Sequence, residues 1–190
     1  MSALRSAARP AWLDDLKRVD TAVYAAIAAT PTETLDRALR RLSSAADYSR
    51  LSIASAAVLG LAGGREGRRA AVMGLASVGV ASGVVNLVLK PLGTRRRPDR
   101  EAQEVPFARH VPMPESSSFP SGHTAAAFAF ASGVGRTLPD VAAPLRMLAA
   151  VVGYSRVHTG VHFPGDVVAG AVLGDILAQA TTRALEGRTH

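Results

Sequence analysis

The sequence has no cysteine, which excludes disulfide frameworks, zinc–thiolate sites, iron–sulfur clusters and cysteine nucleophiles at once. Lysine is nearly absent as well. Lys17 and Lys90 are the only two, so almost all of the positive charge is arginine. Charged side chains make up 19% of the 190 residues, and beside long Ala/Val/Leu/Gly runs this excludes a disordered acidic or basic tail. There is no internal repeat and no low-complexity linker. The N-terminus lacks a continuous apolar stretch and carries Asp14 and Asp15, so no signal peptide is expected. What remains is a chain of one-domain length with 22 Lys+Arg against 15 Asp+Glu, a net charge of +7. That balance suits nucleic acid, anionic lipid or a phosphorylated substrate equally well.

Apolar runs narrow the choice. Residues 70–89 (AAVMGLASVGVASGVVNLVL) are free of charge for 20 residues, and at about 1.5 Å per residue such a helix spans a hydrocarbon core of about 30 Å. Four shorter runs follow the same composition: 51–64, 122–135, 141–154 and 167–182, the last three containing His123, Arg146 and Asp175. A soluble all-α protein with buried helices is the competing reading. The small residues Gly74, Ala76, Ser77, Gly79, Ala81, Ser82 and Gly83 favour the membrane, since they fill a water-driven core poorly but let membrane helices approach closely. The connections then alternate. REGRR (65–69) and 136–140 are short turns, whereas 90–119 and 155–165 are longer and polar. If each run spans, both longer loops emerge on one face. In the first fifty residues, Leu35, Leu39 and Leu42 share a helical face, which predicts an amphipathic surface helix over 34–50, with Trp12 as an interface anchor. The expectation is an all-α, membrane-embedded bundle over 51–185, preceded by an amphipathic N-terminal segment over 1–50.

Three polar clusters lie at the edges of these runs. Lys90-Pro-Leu-Gly-Thr-Arg-Arg-Arg97-Pro98 reads as a positive membrane flank or as a phosphate clamp, with Lys90 a point charge and Arg97 a planar fork for two oxygens. Phe119-Pro120-Ser121-Gly122-His123-Thr124 precedes an Ala-rich helix. Its free N–H groups and positive dipole end make an anion site, with His123 one residue away. Tyr154-Ser155-Arg156 continues to His162 and Asp166, four residues apart. On a helical turn the carboxylate can accept the imidazole Nδ1–H and leave Nε2 as a nucleophile. His158 falls between them and reads as structural, and His110 and His190 as solvent-facing. Arg95, Arg96 and Arg100 read as lipid-headgroup contacts or flanking charge. Three cations around two histidines and one carboxylate would repel a metal, and neither metal-ligand spacing nor a Walker loop is present. The pattern fits metal-free phosphoryl transfer, in which one histidine attacks phosphorus and the other protonates the departing oxygen.

Lys90-x6-Arg97-Pro98, Pro120-Ser121-Gly122-His123 and Ser155-Arg156-x5-His162-x3-Asp166 together resemble the three-part signature of the type 2 phosphatidic acid phosphatase superfamily, which includes vanadium haloperoxidases. The resemblance covers roughly residues 51–180. It implies an all-α bundle usually of six spans, hence five to six here. It also implies His162 as the nucleophile forming a phosphohistidine, Asp166 orienting it, and His123 as general acid. Lys90, Arg97, Ser121, Gly122 and Arg156 would hold the phosphoryl oxygens, with no metal or other cofactor. The expected protein is a multi-pass plasma-membrane phosphatase, its site facing outward, acting on a phospholipid or polyprenyl (pyro)phosphate and not on nucleic acid. Two rivals remain: a non-catalytic basic membrane protein binding anionic lipid, which leaves the histidines and Asp166 without a purpose, and a vanadate-dependent haloperoxidase.

Overall fold

The computed structural model describes residues 10–187, and among these every regular element is helical. Seven principal helices run in chain order: α1 (Ala11–Ala29), α2 (Glu33–Ala45), α3 (Arg50–Ala62), α4 (Gly64–Leu92), α5 (Gly122–Gly135), α6 (Pro139–His158) and α7 (Pro164–Glu186). The five apolar runs of the sequence become α3 to α7. Among the described residues, only α4 is long and apolar enough to cross a membrane by itself.

α5 is the central element, packed against α4, α6 and α7. The approach is close because glycines face it. A Cβ on Gly174 of α7 would stand 2.3 Å from the Ala125 carbonyl oxygen, and one on Gly133 of α5 would stand 2.7 Å from that of Met73 on α4. Gly74 meets the Phe130 ring in the same seam, where Ala70, Val78, Phe130 and Val134 form the apolar core. The small-residue stripe read from the sequence is therefore divided. Gly74, Ser77 and Ala81 are buried in helix contacts, whereas Gly79 and Gly83 have nothing within 4 Å of an added Cβ. Arg146 and Asp175, which interrupt two apolar runs, meet each other. Arg146 Nη2 lies 3.3 Å from Asp175 Oδ1, and the Ser132 hydroxyl donates to the same carboxylate. Pairing lowers the cost of carrying such charges on apolar helices.

Three boundaries differ from the sequence reading. REGRR is not a loop but the first turns of α4; the chain reverses at Gly63 and Gly64 instead, with Gly64 at φ +60°. α6 runs on to His158, so Ser155 and Arg156 are helical. α4 continues past residue 89 through a π-helical turn over Val84–Leu89 to Lys90 and Pro91. Pro91 has no N–H to offer Leu87, and the preceding widened turn accommodates its ring. The amphipathic stretch forms α2, whose inner face meets protein: it packs on α6 and on the short turn Phe107–Arg109. Trp12 is exposed on α1.

These contacts rank the glycines. Gly174→Ala is expected to destabilise the protein by about 1–3 kcal/mol, because backbone must shift to admit the methyl group. Gly79→Ala, with open space and a helix interior, is expected to be neutral or to stabilise by about 0.5–1 kcal/mol. Thermal unfolding in detergent compares the two directly.

Candidate active site

The loop after α6 is built to present His162. Gly160 takes φ +72°, a left-handed conformation that reverses the chain, and the N–H groups of Val161 and His162 both turn back to the Arg156 carbonyl, at 3.1 and 3.3 Å. α7 then starts with Pro164 in its first turn, and the Asp166 carboxylate accepts the Phe163 N–H at 2.9 Å. This satisfies one of the unpaired amides of a helix start. Asp166 is fully buried and carries more than that bond. It receives Arg95 Nη1 at 2.8 Å and the Ser118 hydroxyl, and its backbone carbonyl accepts the Ser121 N–H at 2.9 Å.

His162 is 1% exposed, with Nδ1 3.5 Å from Asp166 Oδ2. That is a poised contact rather than a formed hydrogen bond, and such catalytic contacts commonly tighten only with substrate bound. On the other side of the ring, Arg97 Nη1 lies 3.3 Å from Nε2. A guanidinium can only donate, so Nε2 holds the lone pair and Nδ1 holds the proton. Burial pushes the imidazole down to about 4, with the charges of Arg97 and Arg156 adding to it and Asp166 opposing it. His162 is thus neutral near pH 7.

Arg97 is fixed by main-chain acceptors: Val161 O at 2.8 Å, Ser116 O at 3.0 Å and Ser117 O at 3.3 Å. Lys90, Gly122, His123 and Arg156 line a cavity of about 640 Å³, together with Asp47, Tyr48, Asn86 and Met113. Arg97, Ser121, His162 and Asp166 are not among its lining residues; His162 and Asp166 lie buried beside it. Ser121 is also buried, its hydroxyl 2.9 Å from that of Thr124. Arg156 donates to the Ser43 hydroxyl at 2.7 Å and to the Ser43 carbonyl at 3.2 Å, while its Nε has no partner. Among the described residues neither Lys90 nor Arg97 forms an ion pair with a carboxylate. A cation surplus of this kind favours an anion electrostatically.

Sequence reasoning missed four contributors. Asp47 Oδ1 lies 2.8 Å from His123 Nε2 and 3.8 Å from Arg156 Nη1. Arg95, read as a headgroup contact or flanking charge, turns inward and bridges Asp20 and Asp166. Ser118 and Ser43 act as partners of Asp166 and Arg156. None belongs to a recognisable spacing. Arg100 also faces protein, donating to the Val111 carbonyl at 2.9 Å. His158 is structural, its Nε2 2.9 Å from the Thr32 hydroxyl oxygen and 3.1 Å from Asp36. His110 does not face solvent freely, since its Nε2 lies 3.0 Å from the Val105 carbonyl. His190 lies outside the described residues.

A family profile for the PAP2 superfamily matches residues 71–190. The chain belongs to the PAP2 superfamily. Among curated relatives, it is 38% identical over 94 residues to the decaprenylphosphoryl-5-phosphoribose phosphatase of Mycobacterium tuberculosis, a match covering 47% of this chain and 48% of that protein. It is 33% identical over 100 residues to the lipid A 1-phosphatase of Rhizobium etli, covering 50% and 42%. The chain spans about half the length of the curated relatives it matches. Its fold is similar to that of Aquifex aeolicus LpxE, with a TM-score of 0.72 at 24% identity over 87% of this chain and 95% of that one. It is also similar to a transmembrane PAP2-type phosphatidylglycerolphosphate phosphatase from Bacillus subtilis, with a TM-score of 0.68 at 26% identity over 92% and 88%.

The imidazole assignment has a direct check. Nitrogen-15 NMR of the histidine rings is expected to show His162 neutral, with its proton on Nδ1, until the pH falls to about 4. Arg97→Gln removes a repelling cation and is expected to move that titration to higher pH.

Proposed function

We propose that this PAP2 protein is a multi-pass membrane phosphatase that removes a terminal phosphate from a phospholipid or polyprenyl (pyro)phosphate through a phosphohistidine at His162. One observation carries the reading. Two histidines, each facing a carboxylate, stand around Lys90, Arg97 and Arg156 without enough acidic partners to neutralise them. Two relatives named as phosphatases of lipid-linked phosphates support it.

In this reading Lys90, Arg97 and Arg156 bind the phosphoryl oxygens, together with free amides at the start of α5 around Gly122. His162 Nε2 attacks phosphorus. The N–P bond forms as the bond to the leaving oxygen breaks, and that oxygen takes its electron pair and a proton from His123. Asp166 closes on Nδ1–H as positive charge develops on the ring. Water then attacks the phosphohistidine and gives a proton to His123; the P–O bond forms as the N–P bond breaks, its electron pair returning to His162 Nε2, and inorganic phosphate departs. Ser121 reaches the phosphoryl group only by exchanging its bond to Thr124 for one to oxygen. The clamp supplies the charge stabilisation that a divalent metal gives other phosphatases. In this reading the bundle α3 to α7 makes the five crossings, although among the described residues α4 alone is long and apolar enough to cross by itself, and the site faces outward.

Activity is therefore expected to persist in excess EDTA and to be inhibited by vanadate, which mimics five-coordinate phosphorus. Loss on chelation with recovery on adding Mg²⁺ or Zn²⁺ would overturn the site assignment. Arg97→Lys and Arg156→Lys keep the charge but lose the fork, and kcat/KM is expected to fall by at least about tenfold. Arg136→Lys serves as the control, since Arg136 follows the far end of α5 and pairs with Glu186 at 3.0 Å.

The histidines separate by leaving group. His162→Ala is expected to leave little activity on any substrate. His123→Ala is expected to retain far more activity on p-nitrophenyl phosphate, whose phenolate departs unaided, than on a lipid phosphate. Parallel phosphate-release assays read the ratio, and the opposite pattern would reverse the two roles.

A further inference from the structure

The corner between α2 and α3 puts a carboxylate where the sequence pattern has none. Asp47 Oδ1 lies 2.8 Å from His123 Nε2. Among the described residues Asp47 is the sole acidic one lining the cavity, where it shares the wall with Lys90 and Arg156. The corner is strained to place it. Tyr48 and Ser49, neither a glycine, both adopt left-handed conformations at φ 55° and 57°, which cost of order 1–3 kcal/mol each and cluster at functional sites. The corner is also anchored, because Arg156 holds the Ser43 carbonyl and hydroxyl four residues upstream.

We propose that Asp47 is a positioning residue for the general acid: it accepts His123 Nε2–H, fixes the ring's orientation, favours its cationic form when substrate is bound, and leaves Nδ1–H to protonate the departing oxygen. This rests on the reading of His123 as that acid. The groups facing His123 are Lys90 at the end of α4, Arg156 on α6 and Asp47 on the corner. Two of the three are cations, and both oppose a third positive charge. Burial opposes it as well, so Asp47 alone favours it among these groups, and removing it leaves a buried ring among like charges. Among the described residues His123 Nδ1 makes no hydrogen bond, so one nitrogen is tied and the other is available. In the transfer step the Nδ1–H bond breaks and the proton joins the leaving oxygen as its bond to phosphorus breaks. The neutral imidazole that remains keeps its Nε2–H on Asp47 and takes the next proton, from water, at Nδ1. The arrangement mirrors that at His162, where a carboxylate faces one nitrogen so that the other can react.

The test is Asp47→Asn and Asp47→Glu, each assayed on a lipid phosphate and on p-nitrophenyl phosphate. The ratio of the two rates is independent of how much protein has folded. In Asp47→Asn the lipid rate relative to the aryl rate is expected to fall by at least about tenfold. The basic limb of the lipid pH profile is expected to move to lower pH by about one unit or more, and Asp47→Glu to recover part of both. Equal loss on both substrates with an unmoved basic limb would overturn the proposal. So would an Asp47→Asn protein with lower KM and undiminished kcat, the signature of a carboxylate that merely competes with substrate phosphate. A wild-type protein inactive on both substrates would overturn the phosphatase reading itself and this inference with it, whereas an active wild type with an unchanged rate ratio overturns the inference alone.

Discussion

The carboxylate of Asp166 is the knot on which the site depends. It gathers Arg95 from the loop after α4, Ser118 from the segment before α5, the start of α7, and the ring of His162. Its main-chain carbonyl adds Ser121. Each of the three polar segments seen in the sequence is thereby tied to one fully buried acid. A buried carboxylate is tolerated only when hydrogen-bonded and paired, and the same bonds that meet this requirement set the relative positions of the segments. Truncating Asp166 would therefore do more than free one imidazole. It would leave Arg95 and Ser118 without their buried acceptor and loosen the contact between loop and helix.

Much of this was legible in the sequence where the signal was local. Apolar runs marked α3 to α7, and the four-residue spacing of His162 and Asp166 anticipated that the two side chains face each other, although His162 stands in the loop before α7 and not on a helical turn. The boundaries were less legible, because the charges of REGRR look like a loop but sit comfortably on the opening turns of α4. Long-range partners were not legible at all. Asp47 and His123 are 76 residues apart, and Arg95 and Asp166 71. Nothing local distinguishes Arg95 from Arg96, although one turns into the protein and the sequence shows three arginines in a row. Only the packed fold selects among them.

The N-terminal helices gain a different meaning from their contacts. α2 has the pattern of a surface helix, yet Asp36 is buried against Arg109, with Nε to Oδ1 at 2.9 Å. Arg109 also holds the Thr30 carbonyl at 2.7 Å and the Thr32 hydroxyl at 3.0 Å. This fastens the α1–α2 turn to the long polar loop, and His158 joins the same cluster through Thr32 and Asp36. An amphipathic pattern shows that one face of a helix is shielded from water, without saying whether lipid or protein does the shielding.

Asp20 on α1 holds both Arg95 and the Gly165 main-chain N–H at the start of α7, a partner 145 residues away. During synthesis Asp20 can meet Arg95 early, but its bond to Gly165 waits until the start of α7 has been made. His162 reaches Asp166 only at that late stage, after α1 to α6 have been made. A nascent chain of this protein thus carries its basic loop through most of translation without His162 beside it, and the contact between Arg97 and that ring is a late one.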